Sequence, residues 1–300
     1  MNIIVKEHIF PIIIKTQCYK DRFENQNGFI EMNPSLYISE DGSYTILVRT
    51  VNYLKYPNNK FTIYGNKHPE PYTHVSDSIY IIIRGKINDT FNLDNYDIQT
   101  LDTQYNIPAS LSMWSGVEDI RFITDKIVIA CIPECNNGVP CIFGGVLKDN
   151  ILSSFIKCNP IMGEKNWMPY IHEKPKVIYS VSPFIIKSIV EDDREEIKLS
   201  DEYINELSGW HGSSNGVDFR NSKLFLIHKT EDRVYNRWLL FNPNTKEVSY
   251  SKKFVFFKDS YLEFTCSLAK YNDKLYVSLG VNDNSAYIIE ILYSEIIKLF

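Results

Sequence analysis

The sequence lacks the features of several large protein classes. Its six cysteines are few for 300 residues, and their spacing does not form the framework of a disulfide-rich secreted domain. Cys131, Cys135 and Cys141 lie close together, but three and five residues separate them, and no C-x-x-C knuckle occurs. We therefore predict no metal site and interpret these cysteines as core or loop thiols.

Basic excess and long apolar runs are also missing. The formal net charge is −5, which argues against a nucleic-acid partner because phosphate binding requires a basic face. The longest apolar runs, such as residues 79–83, are too short for a membrane span. Lys6 and Glu7 interrupt the apolar start, which is not typical of a signal peptide. These features predict a soluble, cytoplasmic protein.

Short motifs for common chemistries are absent as well. The sequence contains no nucleophile elbow, no phosphate-cradling loop of the P-loop type and no dinucleotide fingerprint. We predict that the protein uses no cofactor.

The composition that is present favours β-structure. Hydrophobic residues make up 44% of the chain and aromatic residues 14%, with 20 Tyr and 17 Phe. Flat rings and β-branched side chains pack well on the pleated surface of half-buried strands. Propellers and barrels of this length commonly form one unit, so the length is compatible with a single all-β domain.

A short pattern occurs five times: a polar cluster, followed by two hydrophobic runs that flank a tight turn. The copies begin at Asn33, Glu118, Lys165, Ser213 and Glu263, and their turns fall at residues 40–42, 124–126, 172–175, 220–222 and 272–274. Copies two to five begin about fifty residues apart, enough for one four-stranded blade each. We predict an all-β, five-bladed β-propeller that spans residues 1–300 as a single domain, with the polar clusters around its centre.

Two stretches interrupt the repeat. Residues 54–77 are rich in Pro, Asn, His and Gly, and residues 191–210 contain the acidic run EDDREE and a possible helical turn. We predict both as loop insertions. The β-prone segments 3–14 and 286–292 could pair in one blade and close the ring, which would remove exposed sheet edges.

The sequence Glu118-Asp119-Ile120-Arg121 contains the strongest candidate for proton transfer. On an extended strand, Asp119 and Arg121 would face one side and Glu118 the other. Because a neighbouring Arg favours the ionised carboxylate, Asp119 could donate a proton only if substrate desolvates it or if Arg121 pairs with another acid. A salt bridge that anchors the blade is the alternative.

The other clusters contain groups that bind sugars or phosphate. Arg49 ends an apolar strand, and its planar guanidinium could bind paired hydroxyls, carboxylates or phosphate. Lys165-Asn166-Trp167 combines a cation, an amide and an aromatic ring, although the ring is more typical of a core residue. The remaining candidates, each with a structural role as the alternative, are Asn33, Glu118, Ser214, His211, His228, Glu263 and Asp283.

These clusters resemble the five-bladed propellers of glycoside hydrolase family 130 and the related β-mannosyltransferases and phosphorylases. Over roughly residues 30–292 the chain shows, in order, NPSLY with a downstream Arg49, GVEDIR against the family's G-x-E-D-P-R, a Lys-Asn block before a hairpin ending in SP, a Gly-Ser-Ser block before a hairpin ending in His, and a last hairpin leading to G-x-x-D. Each motif is weak alone, but their order is specific. Ile120 replaces the family's usual proline, and HGSS stands where an arginine commonly precedes the glycines.

The resemblance implies an inverting glycosyl transfer. Asp119 would occupy the position of the catalytic acid and pass its proton, directly or through a sugar hydroxyl, to the glycosidic oxygen. The residues that would hold the sugar are Asn33, Arg49, Arg121 and Asp283. The residues that would lie on the side of the phosphate or leaving group are Lys165, Asn166, His211, His228 and Arg237.

The function predicted from the sequence is transfer of a mannosyl-like hexosyl unit from an activated donor, a nucleotide sugar or a sugar 1-phosphate, to a glycan acceptor. The same pocket could act as a phosphorylase, because the two chemistries differ mainly in the leaving group. A hydrolase would need a general base such as Glu263 or Asp283 at roughly 6.5 to 9.5 Å from Asp119. A non-catalytic glycan-binding propeller would instead show a fixed salt bridge at Asp119 and no pocket deep enough for a sugar ring.

Overall fold

The computed structural model describes residues 12–14, 29–56, 60–63, 76–88, 91, 93, 97–110, 114–158, 163, 165–189, 191 and 193–300. Over these residues the chain forms five mainly antiparallel sheets arranged as the blades of a β-propeller, and one separate two-stranded sheet. The five-bladed fold predicted from the repeated hairpins is therefore confirmed. Within the described part of the chain, no helix is long and apolar enough to cross a membrane.

The blades follow one another along the chain. Blade 1 consists of Ile30–Ile38, Ser43–Val51, Ser76–Lys86 and Asp97–Thr100, with Trp114–Gly116 parallel to the third strand. Blade 2 consists of Glu118–Phe122, Ile127–Cys131, Ile142–Lys148 and Ile151–Lys157, with Asp102–Thr103 parallel to the fourth. Blade 3 consists of Met168–His172, Lys174–Val181, Phe184–Ser188 and Arg194–Ile197.

In blade 4, His211–Gly212 and Val217–Phe219 both pair with Ser222–Thr230, which is followed by Val234–Phe241 and Val248–Tyr250. Blade 5 consists of Glu263–Tyr271, Lys274–Val281, Ser285–Leu292 and Ile12–Ile14. The remaining elements are the hairpin Tyr53–Lys55 with Phe61–Ile63, the 3-10 helix Pro133–Asn136, and the helices Asp201–Leu207 and Tyr293–Ile297.

The two ends of the described chain meet in blade 5. Ile12–Ile14 pairs antiparallel with Ser285–Leu292, and Ile12 lies opposite Ile288. This pairing is the ring closure expected from the terminal β-prone segments, although residues 3–11 lie outside the described residues. Closure satisfies the backbone groups of the last blade and removes an exposed edge.

The predicted insertions contain regular structure. The described part of 54–77 includes the hairpin next to blade 1 and the first residues of the strand Ser76–Lys86. The stretch 191–210 supplies the outer strand of blade 3, Arg194–Ile197, and the helix Asp201–Leu207. Ser200 caps this helix by accepting a hydrogen bond from the Tyr203 amide at 3.4 Å. The strand Arg194–Ile197 shows no alternation of polar and apolar residues in the sequence, because its first three residues are all exposed.

Buried hydrophobic side chains fill the space between neighbouring blades. Val48 and Ile288, for example, belong to the cluster between blades 1 and 5, and Phe225 belongs to the cluster between blades 3 and 4. Trp167 packs between blades 2 and 3 and is 1% exposed, so the core interpretation of this residue is correct. The well-packed blades form a rigid frame for the polar residues at the beginnings of the inner strands.

Candidate active site

The polar residues at the beginnings of the inner strands converge on one cavity that all five blades line. Its volume is about 820 Å³, which lies in the range of small-molecule pockets, roughly 300–1,000 Å³. The predicted site residues that border it are Asn33, Arg49, Glu118, Asp119, Lys165, Asn166, His211, His228, Glu263 and Asp283. The fold thus brings together groups that lie far apart in the sequence.

Two β-bulges set the direction of the side chains on the walls formed by blades 1 and 2. The strand pairing of blade 1 is interrupted around Asn33-Pro34, and that of blade 2 around Asp119-Ile120. Asn33 and Asp119 have φ values of +42° and +48°, which are uncommon for residues other than glycine. Bulges re-aim side chains, and strained backbone of this kind concentrates at functional sites.

The bulge at Asp119 makes the predicted alternation of this strand wrong. Glu118 and Asp119 both contact Arg49, whose Nη2 lies 2.7 Å from Glu118 Oε1 and whose Nη1 lies 3.3 Å from Asp119 Oδ1. Arg121 is 1% exposed and does not border the cavity. It donates instead to the backbone carbonyl of Ser213. The positive φ of Asp119 breaks the two-residue period on which the prediction rested.

Asp119 is held by neighbours that are themselves fixed. Asn33 Nδ2 donates to Asp119 Oδ1 at 3.0 Å, and Arg49 Nε donates to Ser78 Oγ at 2.9 Å. Gly280 packs directly against Asn33, since a Cβ at Gly280 would lie only 2.0 Å from Asn33 Oδ1. Glycine at this position therefore permits the contact that places the partner of Asp119.

The charges around Asp119 keep it ionised. Burial alone would raise the pKa of Asp119, but the guanidinium groups of Arg49 and Arg121, the hydrogen bond from Asn33 and the ammonium of Lys165 outweigh burial and lower this pKa below its usual value. At neutral pH the group at the cavity wall is a carboxylate.

Blade 3 contributes a cation to the cavity. Lys165 is exposed to the cavity, and among the described residues it has no ion-pair partner. Asn166 follows with a φ of +67°. By contrast, Lys187 lies over the buried ring of Trp167, at 4.3 Å from the ring centroid. Lys165 is thus available to bind an anionic group of a ligand.

Blade 4 contributes a neutral imidazole. Burial lowers the pKa of His228 to about 3, with further contributions from His211, Arg121 and Lys165. Its Nδ1 lies 2.7 Å from Ser213 Oγ, and its ring centroid lies 5.8 Å from that of His211. His228 therefore borders the cavity as an uncharged ring at neutral pH.

Glu263 borders the cavity, but its carboxylate is fully enclosed. It is 0% exposed. Four groups donate to this carboxylate, namely the amides of Phe256 and Phe257, Ser260 Oγ and Asn236 Nδ2, at distances of 2.6 to 2.9 Å. Arg233 Nη2 lies 3.8 Å away. Burial raises the pKa of Glu263 despite these partners. Glu263 anchors the loop that precedes blade 5, and its carboxylate oxygens are occupied by these donors.

Asp283 borders the cavity from the turn after the second strand of blade 5. Its φ is +51°, and its Oδ2 lies 3.3 Å from Lys55 Nζ. Tyr261 Oη donates to the carbonyl of Lys55 at 3.3 Å. The short hairpin next to blade 1 is thereby connected to blade 5 across one side of the cavity.

Two further predicted residues lie away from the cavity. Ser214 is fully buried, and its hydroxyl accepts a hydrogen bond from the Leu226 amide at 2.9 Å. Arg237 stacks between Trp210 and Tyr250, with its guanidinium carbon 4.6 and 4.8 Å from the two ring centroids. Both side chains are therefore engaged in contacts within the protein, and neither reaches the cavity in this structure.

The cavity also has lining residues that the sequence reasoning did not select. These are Tyr53, Lys55, Tyr179 and Phe264, among others. In the sequence, these residues are marked only by their positions, since each follows a predicted polar cluster or lies in the hairpin after it. Among the described residues, no three His, Cys, Asp or Glu side chains are grouped to hold a metal ion.

Comparisons with known proteins identify the fold. No protein-family model and no curated protein sequence matches the chain. Among solved structures, a β-1,2-mannobiose phosphorylase from Listeria innocua is 15% identical, with a TM-score of 0.57 over 92% of this chain and 94% of that chain. A mannose phosphorylase from Leishmania mexicana, in complex with a phosphate ion, is 9% identical, with a TM-score of 0.51 over 96% and 89%.

A third structure comes from work on glycoside hydrolase family 130, described as mannoside phosphorylases that include hydrolases of β-1,2-mannosidic linkages in Candida mannan. It is 11% identical, with a TM-score of 0.55 over 97% of both chains. The protein is therefore a five-bladed β-propeller with a polar central cavity. Its fold is that of the glycoside hydrolase family 130 propellers, as the order of its motifs predicted.

Proposed function

We propose that the protein is a carbohydrate-active enzyme that transfers a mannosyl-like hexosyl unit between a phosphate-bearing donor and a glycan acceptor, with inversion. The observation that supports this most strongly is the ionised Asp119, held by Asn33 and Arg49 at the wall of a cavity large enough for a sugar. Lys165, free of an ion pair among the described residues, contributes to the same cavity. Structures with the same fold are named as mannoside phosphorylases and hydrolases.

In the direction of synthesis, the Asp119 carboxylate accepts the proton of the acceptor hydroxyl, directly or through a sugar hydroxyl. The acceptor oxygen forms a bond to the anomeric carbon while the bond from that carbon to the phosphate oxygen breaks. The phosphate leaves with the electron pair, and Lys165 stabilises its charge. In phosphorolysis the same carboxyl returns the proton to the glycosidic oxygen as a general acid.

The electrostatics of the site fit the synthetic direction. Synthesis requires an ionised Asp119, and the lowered pKa of Asp119 provides that state before substrate arrives. A bound sugar displaces water from around Asp119 and so buries its carboxylate further. Burial is the largest single influence on the pKa of Asp119, and it raises this pKa. Substrate binding thus moves the carboxyl toward the range in which proton transfer is efficient.

Hydrolysis is less well supported, because an inverting hydrolase needs a second carboxylate to activate water. Glu263 is enclosed by its four hydrogen-bond donors, and Asp283 is paired with Lys55. A non-catalytic glycan-binding propeller agrees with the salt bridge between Arg49 and Asp119, but not with a cavity of about 820 Å³.

A donor assay tests the proposal. The purified protein is incubated with α-mannose 1-phosphate and a mannose or mannobiose acceptor, with a nucleotide sugar and the same acceptors, and with a β-mannobioside in water. We expect a new glycoside only when donor and acceptor are both present, together with free phosphate if α-mannose 1-phosphate is the donor or a nucleoside diphosphate if the nucleotide sugar is. Release of reducing sugar from the mannobioside without phosphate would indicate a hydrolase, and no turnover in any mixture would contradict the proposal.

The role of Lys165 can be measured separately by calorimetry. We expect Lys165→Ala to weaken binding of the sugar phosphate by about tenfold, which corresponds to about 1.4 kcal/mol, and to leave acceptor binding nearly unchanged. Lys148→Ala, at an exposed position on blade 2, is the matched control. Equal donor affinity in wild type and Lys165→Ala would place the phosphate elsewhere.

A further inference from the structure

The hydroxyl of Ser213 has a single hydrogen-bond acceptor among the described residues. Its Oγ lies 2.7 Å from Nδ1 of His228. Ser213 is 0% exposed, and within the described part of the chain its Oγ has no other hydrogen-bond partner. If the ring nitrogen carried the proton and donated to Oγ, the buried hydroxyl proton would have no acceptor, which is costly. The hydroxyl therefore donates, and Nδ1 accepts.

This direction fixes the tautomer of His228. A neutral imidazole that accepts at Nδ1 carries its proton on Nε2. Burial, and after it His211, Arg121 and Lys165, lower the pKa of His228 to about 3, although the Asp119 carboxylate acts in the opposite direction. The ring stays neutral at physiological pH, and its single proton stays on Nε2.

The ring and its serine partner are both held in place. The ring of His228 packs edge-on against Phe264, with centroids 5.4 Å apart and an interplanar angle of 71°. The Ser213 amide donates to the Leu226 carbonyl at 3.2 Å, and the Ser213 carbonyl accepts from Arg121. His228 borders the cavity, and among the described residues its Nε2 has no hydrogen-bond partner.

We propose that Ser213 is a positioning residue that fixes His228 as the neutral Nε2–H tautomer, so that His228 offers a directional, uncharged hydrogen-bond donor to an oxygen of the ligand. The identity of that oxygen rests on the proposed function and would be a sugar hydroxyl or a leaving-group phosphate oxygen. Lys165 adds positive charge to the cavity, whereas His228 offers a directional hydrogen bond without adding charge.

NMR tests this proposal without any knowledge of substrate. Long-range ¹H–¹⁵N correlation spectra of protein labelled with ¹⁵N-histidine distinguish the two neutral tautomers and the imidazolium, and the His228→Gln spectrum assigns the signals. We expect His228 to show a protonated Nε2 and an unprotonated Nδ1, unchanged between about pH 5.5 and 8. A protonated Nδ1, an averaged signal or titration in this range would overturn the proposal.

Two serine variants separate positioning from general structural damage. Ser213→Ala should give His228 signals averaged between tautomers, whereas Ser214→Ala, at an equally buried neighbour bonded to Leu226, should leave them unchanged. If Ser213→Ala does not fold, the wild-type spectrum still decides the tautomer. If the tautomer is confirmed and no sugar phosphate binds, the proposed function fails and the assignment of Ser213 stands. A folded Ser213→Ala with wild-type His228 signals would contradict the role of Ser213.

Discussion

Replacing Arg49 with Gln removes the cation that two cavity carboxylates share. The side chain of Arg49 is 5% exposed, and those of Glu118 and Asp119 are 19% and 16% exposed. Removing one partner of a buried ion pair costs roughly 3–5 kcal/mol, because the remaining charge stays uncompensated. Since both carboxylates retain some contact with solvent, we expect the lower end of this range, about 3 kcal/mol at neutral pH.

The loss should depend on pH with a defined sign. In the wild type, the folded-state pKa of Asp119 is below its unfolded value, so ionised Asp119 contributes stability above about pH 4, and this contribution is lost as the pH falls through the lower folded pKa. Without Arg49 the folded pKa rises, and the contribution shrinks or reverses above about pH 4. The difference in unfolding free energy between Arg49→Gln and wild type should therefore increase from about pH 4 to pH 7.

Urea denaturation followed by tryptophan fluorescence at about pH 4.5 and 7 measures this difference. Arg194→Gln is the control, because Arg194 is an exposed residue whose guanidinium carbon lies 5.0 Å from the Tyr179 ring centroid. We expect the control to change the unfolding free energy by about 0.5 kcal/mol or less at both pH values. An Arg49→Gln variant as stable as wild type at pH 7, or a loss of the same size at both pH values, would refute the electrostatic account.

Two further substitutions test how Asp119 is supported. Tyr80 Oη accepts a hydrogen bond from the Ile120 amide at 3.2 Å, next to the bulge. Tyr80→Phe should therefore lower kcat about tenfold with little change in KM, at a stability cost of about 1–2 kcal/mol. An unchanged kcat would show that this hydrogen bond does not help to position Asp119. Gly280→Ala would bring a Cβ within 2.0 Å of Asn33 Oδ1, so donor turnover should fall at least tenfold. The control Gly144→Ala, whose Cβ would meet Cys158 Sγ at an ordinary 3.5 Å, should retain activity. Equal activity in the two alanine variants would show that Asn33 is not needed.

The fold could be predicted because its signals are local. Each hairpin is encoded by two β-prone runs and a turn of favourable residues, such as Glu40-Asp41-Gly42, and the repeat of about fifty residues fixes the number of blades. The closing pair could be predicted as well, since both segments are β-prone and their pairing removes exposed sheet edges.

The site could be predicted only in part, because its details depend on contacts between blades. Ten of the predicted polar residues, from all five blades, border the cavity. The bulge at Asp119 depends on how its strand pairs with the next one. The sequence alone therefore suggested Arg121 as the partner beside Asp119, whereas the structure has Arg49 in the ion pair and Arg121 as a second, more distant cation. The environments of Glu263 and Arg237 depend on loops and rings from other parts of the chain, for which a single sequence offers no signal.

The central claim is that Asp119 transfers the proton, and Asp119→Asn tests it most directly. Asparagine preserves the size of the side chain and can still accept from Asn33, but it cannot exchange the proton. The measurement is the rate of glycosyl transfer from the sugar phosphate to the acceptor, together with donor affinity and melting temperature. We predict a folded variant that binds donor with an affinity close to wild type and loses turnover by a factor on the order of 10² to 10⁴. Wild-type turnover in purified Asp119→Asn would contradict the account. If the melting temperature also falls while the folded variant keeps full turnover, Asp119 has only the role of a structural salt bridge.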